Sequence, residues 1–101
     1  RRLTVPIPPS LEFPQRVDHA NASTVLADLT NRLQQVGDGA PVVLGLKALA
    51  HFDSSALSVL LALRRHAVTS GQSLQITEWP HKLLDLVEAY GLKAALQADT
   101  D

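Results

Sequence analysis

The sequence predicts an α/β domain, and three observations support that prediction. Residues 42–46 form an unbroken apolar run, which is typical of a strand buried on both faces of a parallel sheet. A long helical segment over residues 54–70 follows, and a further strand is predicted over residues 74–77. The order strand, helix, strand within about 35 residues predicts a βαβ unit with a right-handed crossover. We expect about four strands in one mixed sheet, together with about three to four helices.

Length and composition limit the possible functions. The chain has 101 residues, of which 46% are hydrophobic and 19% charged, so we expect a single domain over residues 1–101 with its core in residues 3–96. Nine Lys and Arg residues against ten Asp and Glu give a net charge of −1, which lacks the basic excess of a nucleic-acid-binding protein. There is no cysteine for a disulfide or a thiolate metal site. No apolar run reaches the roughly 20 residues that cross a bilayer, so we expect no direct membrane insertion.

The first half of the chain is expected to hold two extended segments and one helix. Residues 3–7 alternate apolar and polar side chains around a proline, which favours an edge strand, and residues 11–17 predict a second extended segment. Asn21 or Ser23 can then cap a helix that ends at Gly37. The apolar stripe of this helix has the expected spacing: Val25, Leu26, Leu29, Leu33 and Val36.

The second half is expected to hold the βαβ unit and a last helix. Asp53 is a strong N-cap for the helix over residues 54–70, and Gly71 ends that helix. A helical wheel places five of its apolar side chains on the sheet: Leu57, Leu60, Leu61, Ala67 and Val68. The last helix begins at Trp79 and Pro80 and ends in a Schellman cap at Gly91. Its apolar stripe is Leu83, Leu84, Val87 and Tyr90. The tail from Lys93 either adds a helical turn or frays.

The sequence contains no pattern typical of a catalytic or metal-binding site. The four histidines do not pair at ligand spacing on one helix: His19, His51, His66 and His81. Ser54 lacks the flanking glycines of a nucleophile elbow, and the five glycines are scattered rather than gathered into a phosphate loop. We therefore expect a protein that is not an enzyme and that uses no cofactor and no metal.

The start of the long helix is the best candidate for a functional site. If Asp53 caps the helix, Ser54 is its first residue, and the Ser54 hydroxyl lies among unpaired backbone N–H groups. A phosphate on Ser54, or another anionic group there, would meet the positive end of the helix dipole. The alternative interpretation is an ordinary helix start, because Asp and Ser are common at such positions.

The helical wheel also predicts an outward face with little charge. It contains Ser54, Ser58, Ala62, Arg65 and Thr69, and it is flanked by Ser55, Val59 and His66. A face of this kind can be desolvated against another protein at low cost. The alternative, to which we give equal weight, is a solvated face that has few charged residues and binds no partner.

Three stretches of the chain resemble a STAS domain, the sulphate-transporter and anti-sigma-antagonist family. They are residues 42–46, residues 52–57 with the sequence Phe-Asp-Ser-Ser-Ala-Leu, and residues 71–76. In this family a central strand leads through a loop to a helix that starts at Asp-Ser-Ser-Gly-Leu or Asp-Thr-Gly-Gly-Leu. Ala56 stands where the family usually has glycine, so the helix start should be firmer and less adaptable here.

The resemblance implies two functions in particular. The small STAS subunit of Mla-type phospholipid ABC transporters binds the ATPase subunit, and its last helix resembles residues 83–92. On this interpretation the chain is a bacterial cytoplasmic subunit, held at the inner membrane through its partner. Anti-sigma-factor antagonists are instead phosphorylated, at the position of Ser54, by a kinase that is also the anti-sigma factor. A ligand- or nucleotide-sensing STAS module is a third possibility. The candidate protein-binding residues are His51, Phe52, Asp53, Ser54, Ser55, Ser58, Ala62 and Arg65.

Overall fold

The computed structural model describes residues 9–96, which contain five strands and four helices. The strands are β1 (Ser10–Glu12), β2 (Arg16–Val17), β3 (Pro41–Gly45), β4 (His51–Phe52) and β5 (Ser73–Thr77). The helices are α1 (Ala22–Val36), α2 (Ser55–Thr69), α3 (His81–Ala89) and α4 (Lys93–Leu96). The α/β prediction is therefore confirmed. The strand predicted over residues 3–7 lies outside the described residues.

The described strands form two small parallel sheets. In the first sheet β3 lies between β1 and β5, and in the second β2 pairs with β4. Because β3 and β5 are parallel, the chain must cross over between them, and α2 makes that crossover as the βαβ prediction required. Val42 and Leu44 of the central strand are buried, in agreement with the predicted central position.

The prediction of one mixed, four-stranded sheet is not met within residues 9–96, where the larger sheet has three strands and every pair is parallel. The extended segment predicted over residues 11–17 is divided into β1 and β2, with Pro14 between them. Proline has no N–H to donate to a ladder, so it interrupts the pairing with β3. After Pro14 the chain pairs with β4 instead, and the Gln15 carbonyl accepts N–H groups from Ala50 and His51.

The buried face of α2 overlaps the face that the helical wheel predicted but is rotated from it, and Leu57, Leu60 and Ala67 are buried as predicted. Val59, expected beside the outward face, is only 2% exposed, whereas Val68, expected on the sheet, is 71% exposed. Leu61 is half-buried. The wheel considered only the sheet, but α2 also packs against α1 and α4, so the covered arc is wider and is rotated away from Val68. The buried residues of α2 are Ala56, Leu57, Val59, Leu60, Leu63 and Ala67.

Three helices end as the glycine positions predicted, and Gly37 directly follows α1. After α2, Gly71 has a φ of +68°, its N–H donates to the Val68 carbonyl, and the Gln72 N–H donates to the Ala67 carbonyl over 2.8 Å. These are the two hydrogen bonds of a Schellman motif. The same motif ends α3 at Gly91. Tyr90, predicted on the apolar stripe of α3, falls just after the helix and is 58% exposed.

The start of α1 corrects one predicted cap. Asn21 does occupy the N-cap position, but its side chain makes no capping hydrogen bond. Its Oδ1 accepts the Asp18 N–H over 2.9 Å, and its Nδ2 donates to the Arg16 carbonyl over 2.8 Å. Asn21 therefore fastens the loop that precedes the helix. Ser23, the other predicted cap, lies inside α1.

Leu60→Ala tests the observed rotation of α2. Leu60 is 0% exposed, so the substitution leaves a cavity and should lower the free energy of unfolding by about 2–5 kcal/mol. Val68→Ala is the matched control on the same helix, and its effect should stay within about 0.5 kcal/mol because Val68 is already in water. Urea unfolding of both variants measures the difference. Equal losses would show that α2 is rotated differently.

Candidate interaction site

The second, two-stranded sheet positions the start of α2. In β4, His51 lies opposite Arg16 and Phe52 opposite Val17, and the next residue, Asp53, donates its N–H to the Val17 carbonyl over 3.3 Å. His51 is exposed, whereas Phe52 is half-buried and packs against the core. The predicted site residues 51–53 are thus held in an extended conformation just before the helix.

Asp53 caps α2 with its side chain. Its Oδ1 accepts the Ser55 N–H over 2.7 Å, and its carbonyl accepts the Ala56 N–H over 3.1 Å. Ser54 already has helical backbone angles, so it is the first residue of the helical turn, as the sequence predicted. The Ser54 side chain makes no capping hydrogen bond, and the residue is exposed.

The second carboxylate oxygen of Asp53 binds a residue that the sequence analysis did not connect to the site. Asp53 Oδ2 accepts the backbone N–H of His19 over 3.1 Å and lies 3.5 Å from His19 Nδ1. His19 belongs to the loop before α1, so Asp53 links the starts of two helices. No local sequence signal could reveal this contact, because 34 positions separate the two residues.

Hydrogen bonds lower the pKa of the Asp53 carboxyl. The backbone N–H of Ser55 is the largest cause. Desolvation comes next and opposes it, and the Ser55 hydroxyl and the two His19 donors add smaller effects that lower the pKa. Each donor stabilises the ionised carboxylate more than the neutral acid. Asp53 therefore stays charged while it holds the two helix starts together.

A groove lies beside the first half of α2. It has a volume of about 430 Å³ and six lining residues: Ser54, Leu57, Ser58, Leu61, Tyr90 and Leu92. We call it the α2 groove. Two of the predicted protein-binding residues, Ser54 and Ser58, line it. None of its six lining residues is charged, so hydroxyl and apolar groups make up its surface.

The sequence does not predict the wall of the α2 groove that Tyr90 and Leu92 form. The apolar stripe of α3 predicts Tyr90 in the core, and the helical wheel of α2 predicts Leu61 on the sheet. The available signal was Gly91, because a Schellman cap ends α3 at Ala89 and thereby moves Tyr90 out of the buried stripe. That Tyr90 then lies beside α2 depends on tertiary packing alone.

The remaining predicted residues lie outside the α2 groove. Arg65 is exposed on the face of α2 that carries Ser54 and Ser58, about 16 Å further along the helix at a rise of about 1.5 Å per residue. Ser55 and Ala62 are half-buried. Val68, which the prediction placed inside, adds an exposed apolar group to this outward face.

Three other features of residues 9–96 bear on function. No three His, Asp or Glu side chains there are grouped so that they could hold a metal ion. Within the same residues, no helix combines the length and apolar character that a membrane crossing needs. A second cavity, of about 610 Å³, lies between β1 and α1, where Arg32 pairs with Asp28 over 3.1 Å.

A family model described as "Mlab, STAS domain" matches residues 7–98, which include β4, α2 and every residue of the α2 groove. No curated protein matches the sequence significantly.

The lowered pKa of Asp53 makes part of the stability depend on pH. A carboxyl with a lowered folded pKa stabilises the fold above its unfolded pKa of about 3.9, and this contribution is lost as the pH falls through the folded value. Asp53→Asn removes the charge. The free energy of unfolding should therefore be higher for the wild type than for the variant. This difference should be largest near pH 7 and should shrink below about pH 4.

Urea titrations at a series of pH values measure the effect. Ser54→Ala is the control, because it changes the neighbouring residue and keeps the carboxylate. The difference between wild type and Ser54→Ala should not follow the acid transition. A constant difference between wild type and Asp53→Asn at every pH would contradict the role assigned to the Asp53 hydrogen bonds.

Proposed function

The chain belongs to the STAS domain family, and from this we propose that it is the small STAS subunit of a phospholipid-transporting ABC complex of the Mla type. STAS domains generally have protein-interaction or regulatory roles. In the proposed role the protein is a cytoplasmic subunit that performs no catalysis and needs no cofactor. It binds the ATPase subunit and supports its assembly or activity. The description of the matching family favours this branch.

The α2 groove is the observation on which the proposal rests. Removing a charged side chain from water is costly, and the groove has none among its lining residues, so a partner can cover it at low cost. Tyr90 is 58% exposed at its edge, and tyrosine is among the residues that contribute most to protein interfaces. An uncharged groove with an exposed aromatic edge suits a protein partner better than a phosphate-bearing ligand.

The outward face of α2 extends this surface beyond the groove. Arg65 and Val68 are both exposed there, which adds one positive charge and one apolar side chain. Interface cores are depleted in charge, whereas rims are polar. We therefore place the centre of the contact at the groove and its rim at Arg65.

Ser58→Arg and Tyr90→Asp test this placement. Each substitution buries an unpaired charge in the proposed contact, so each should weaken binding to the purified ATPase subunit by about 30-fold or more, or about 2 kcal/mol. Both positions are exposed, so the free energy of unfolding should change by no more than about 0.5 kcal/mol. Calorimetric titration gives the affinity, and thermal melts of the same samples confirm the fold.

Gln34→Arg is the matched control, because it adds the same charge as Ser58→Arg to an exposed position of α1, outside the α2 groove and the outward face of α2. Its affinity for the ATPase should stay close to that of the wild type. Unchanged affinity of both groove variants would place the ATPase contact elsewhere on the molecule.

One observation favours a second function, that of an anti-sigma-factor antagonist switched by phosphorylation. Ser54 is exposed at the first turn of α2, and its side chain makes no capping hydrogen bond. A phosphate there would gain from the positive helix end but would lie next to the Asp53 carboxylate. Because Asp53 Oδ1 already accepts the Ser55 N–H, the phosphate would compete with Asp53 and disturb the cap.

Mass spectrometry of protein from its native cells distinguishes the two functions. If the protein is an anti-sigma-factor antagonist, it should carry one phosphate under some growth conditions, and Ser54→Ala should abolish it. Ser58→Ala, one turn further along the same face, should leave the phosphate in place. A Ser54 that is unmodified under every condition would favour the transporter subunit, and a phosphate on another residue would contradict the assignment of Ser54.

A further inference from the structure

Two adjacent arginines of α2 have different surroundings. Arg65 is exposed, whereas Arg64 is half-buried and its guanidinium reaches two backbone carbonyls. Arg64 Nη1 donates to the Leu74 carbonyl over 2.6 Å, and Nη2 donates to the Leu96 carbonyl over 2.9 Å. Burial lowers the pKa of Arg64, but an arginine stays protonated in proteins. Arg64 is therefore a fixed cation inside the structure.

The two carbonyls belong to elements that are far apart in sequence. Leu74 lies in β5, and Leu96 lies in α4. Hydrogen bonds from a charged donor are stronger than those between neutral groups. Arg64 thus joins α4 to the sheet through one rigid planar group.

The described part of helix α4, Lys93–Leu96, is held by contacts with the rest of the structure. Within it the Leu96 N–H donates to the Leu92 carbonyl over 2.9 Å, and the Leu96 side chain is fully buried. Its position is set by the burial of Leu96 and by the hydrogen bond from Arg64.

The same short helix adjoins the α2 groove. Leu92, whose carbonyl accepts the Leu96 N–H, lines the groove together with Tyr90. Across the groove, Leu61 lies three positions before Arg64 on α2. Helix α2 therefore supplies one wall of the groove. It also supplies Arg64, which binds α4, the helix that follows the other wall.

From this arrangement we propose that Arg64 is a positioning residue: by holding α4 against α2 and β5, it fixes Tyr90 and Leu92 as a wall of the α2 groove. This inference deepens the proposed function and depends on it for the identity of the partner. Release of α4 would let that wall move and would leave the docking surface incomplete.

Hydrogen exchange tests the positioning role without any partner. Arg64→Met keeps a long apolar stem and removes both hydrogen bonds, and Arg65→Met is the matched control at the exposed neighbour. In Arg64→Met the Leu96 amide, which donates to the Leu92 carbonyl, should exchange about tenfold faster or more, because α4 opens locally. The Leu92 amide, which donates to the Val87 carbonyl, should also exchange about tenfold faster, because the groove wall moves with α4. The Leu46 amide, which donates to the Thr77 carbonyl in the sheet, reports global unfolding.

The comparison is made relative to the Leu46 amide. The proposal is supported if the exchange rates of the Leu92 and Leu96 amides increase more than that of the Leu46 amide in Arg64→Met, and do not do so in Arg65→Met. Equal increases at all three amides would overturn it, because Arg64 would then contribute only to overall stability. If Arg64→Met does not fold, Arg64→Lys replaces it, and its single ammonium should give an intermediate rise at Leu92 and Leu96.

Binding to the purified ATPase subunit completes the test. If wild type binds, Arg64→Met should bind about tenfold more weakly or worse, while Arg65→Met should lose less. Unchanged affinity of an Arg64→Met protein whose α4 is open would overturn the link between α4 and docking. If wild type does not bind, the proposed function fails, and the exchange rates still decide whether Arg64 positions α4.

Discussion

The crossover helix α2 is the element on which the rest of the structure depends. Because β3 and β5 are parallel, the connection between them must run back along the sheet, and α2 has to be covered there. Helix α1, strand β5 and the short α4 all pack against it. This packing leaves one narrow face of α2 in water, and both the α2 groove and the exposed Arg65 lie on that face.

Polar side chains join the parts of the structure that surround α2. Asp53 binds the first turn of α2 through one oxygen and the loop before α1 through the other. Near the opposite end, Gln72 Nε2 donates to the Leu33 and Gly37 carbonyls at the end of α1, over 2.8 and 3.0 Å. Both side chains satisfy backbone groups that a helix end leaves unpaired. Asp53, directly after β4, thus joins the start of α2 to the loop before α1. Gln72, directly before β5, joins the end of α1 to the residues that follow α2.

The surface that follows from this packing explains why a docking role fits the family. Tyr90 is exposed at the groove because α3 ends just before it, whereas Leu57 is buried and Leu61 and Leu92 are half-buried. Ser54 lies at the edge of the same groove, beside the Asp53 cap. A partner seated in the groove and a modification of Ser54 would therefore act on one surface. Arg64 reaches that surface only indirectly, through α4.

The sequence by itself determined the elements whose cause is local. The apolar run of β3, the Asp53 cap of α2 and the glycine ends of α2 and α3 follow from neighbouring residues, and the structure contains each of them. Ser54 and Ser58 were likewise identified as exposed residues of one helix face. Only the tertiary structure decided which arc of α2 is covered, because α1 and α4 pack against α2 in addition to the sheet. Val59 is buried within this arc, and Val68 lies outside it. The contacts of Asp53 with His19 and of Arg64 with Leu96 join positions more than 30 residues apart, where no local spacing rule applies.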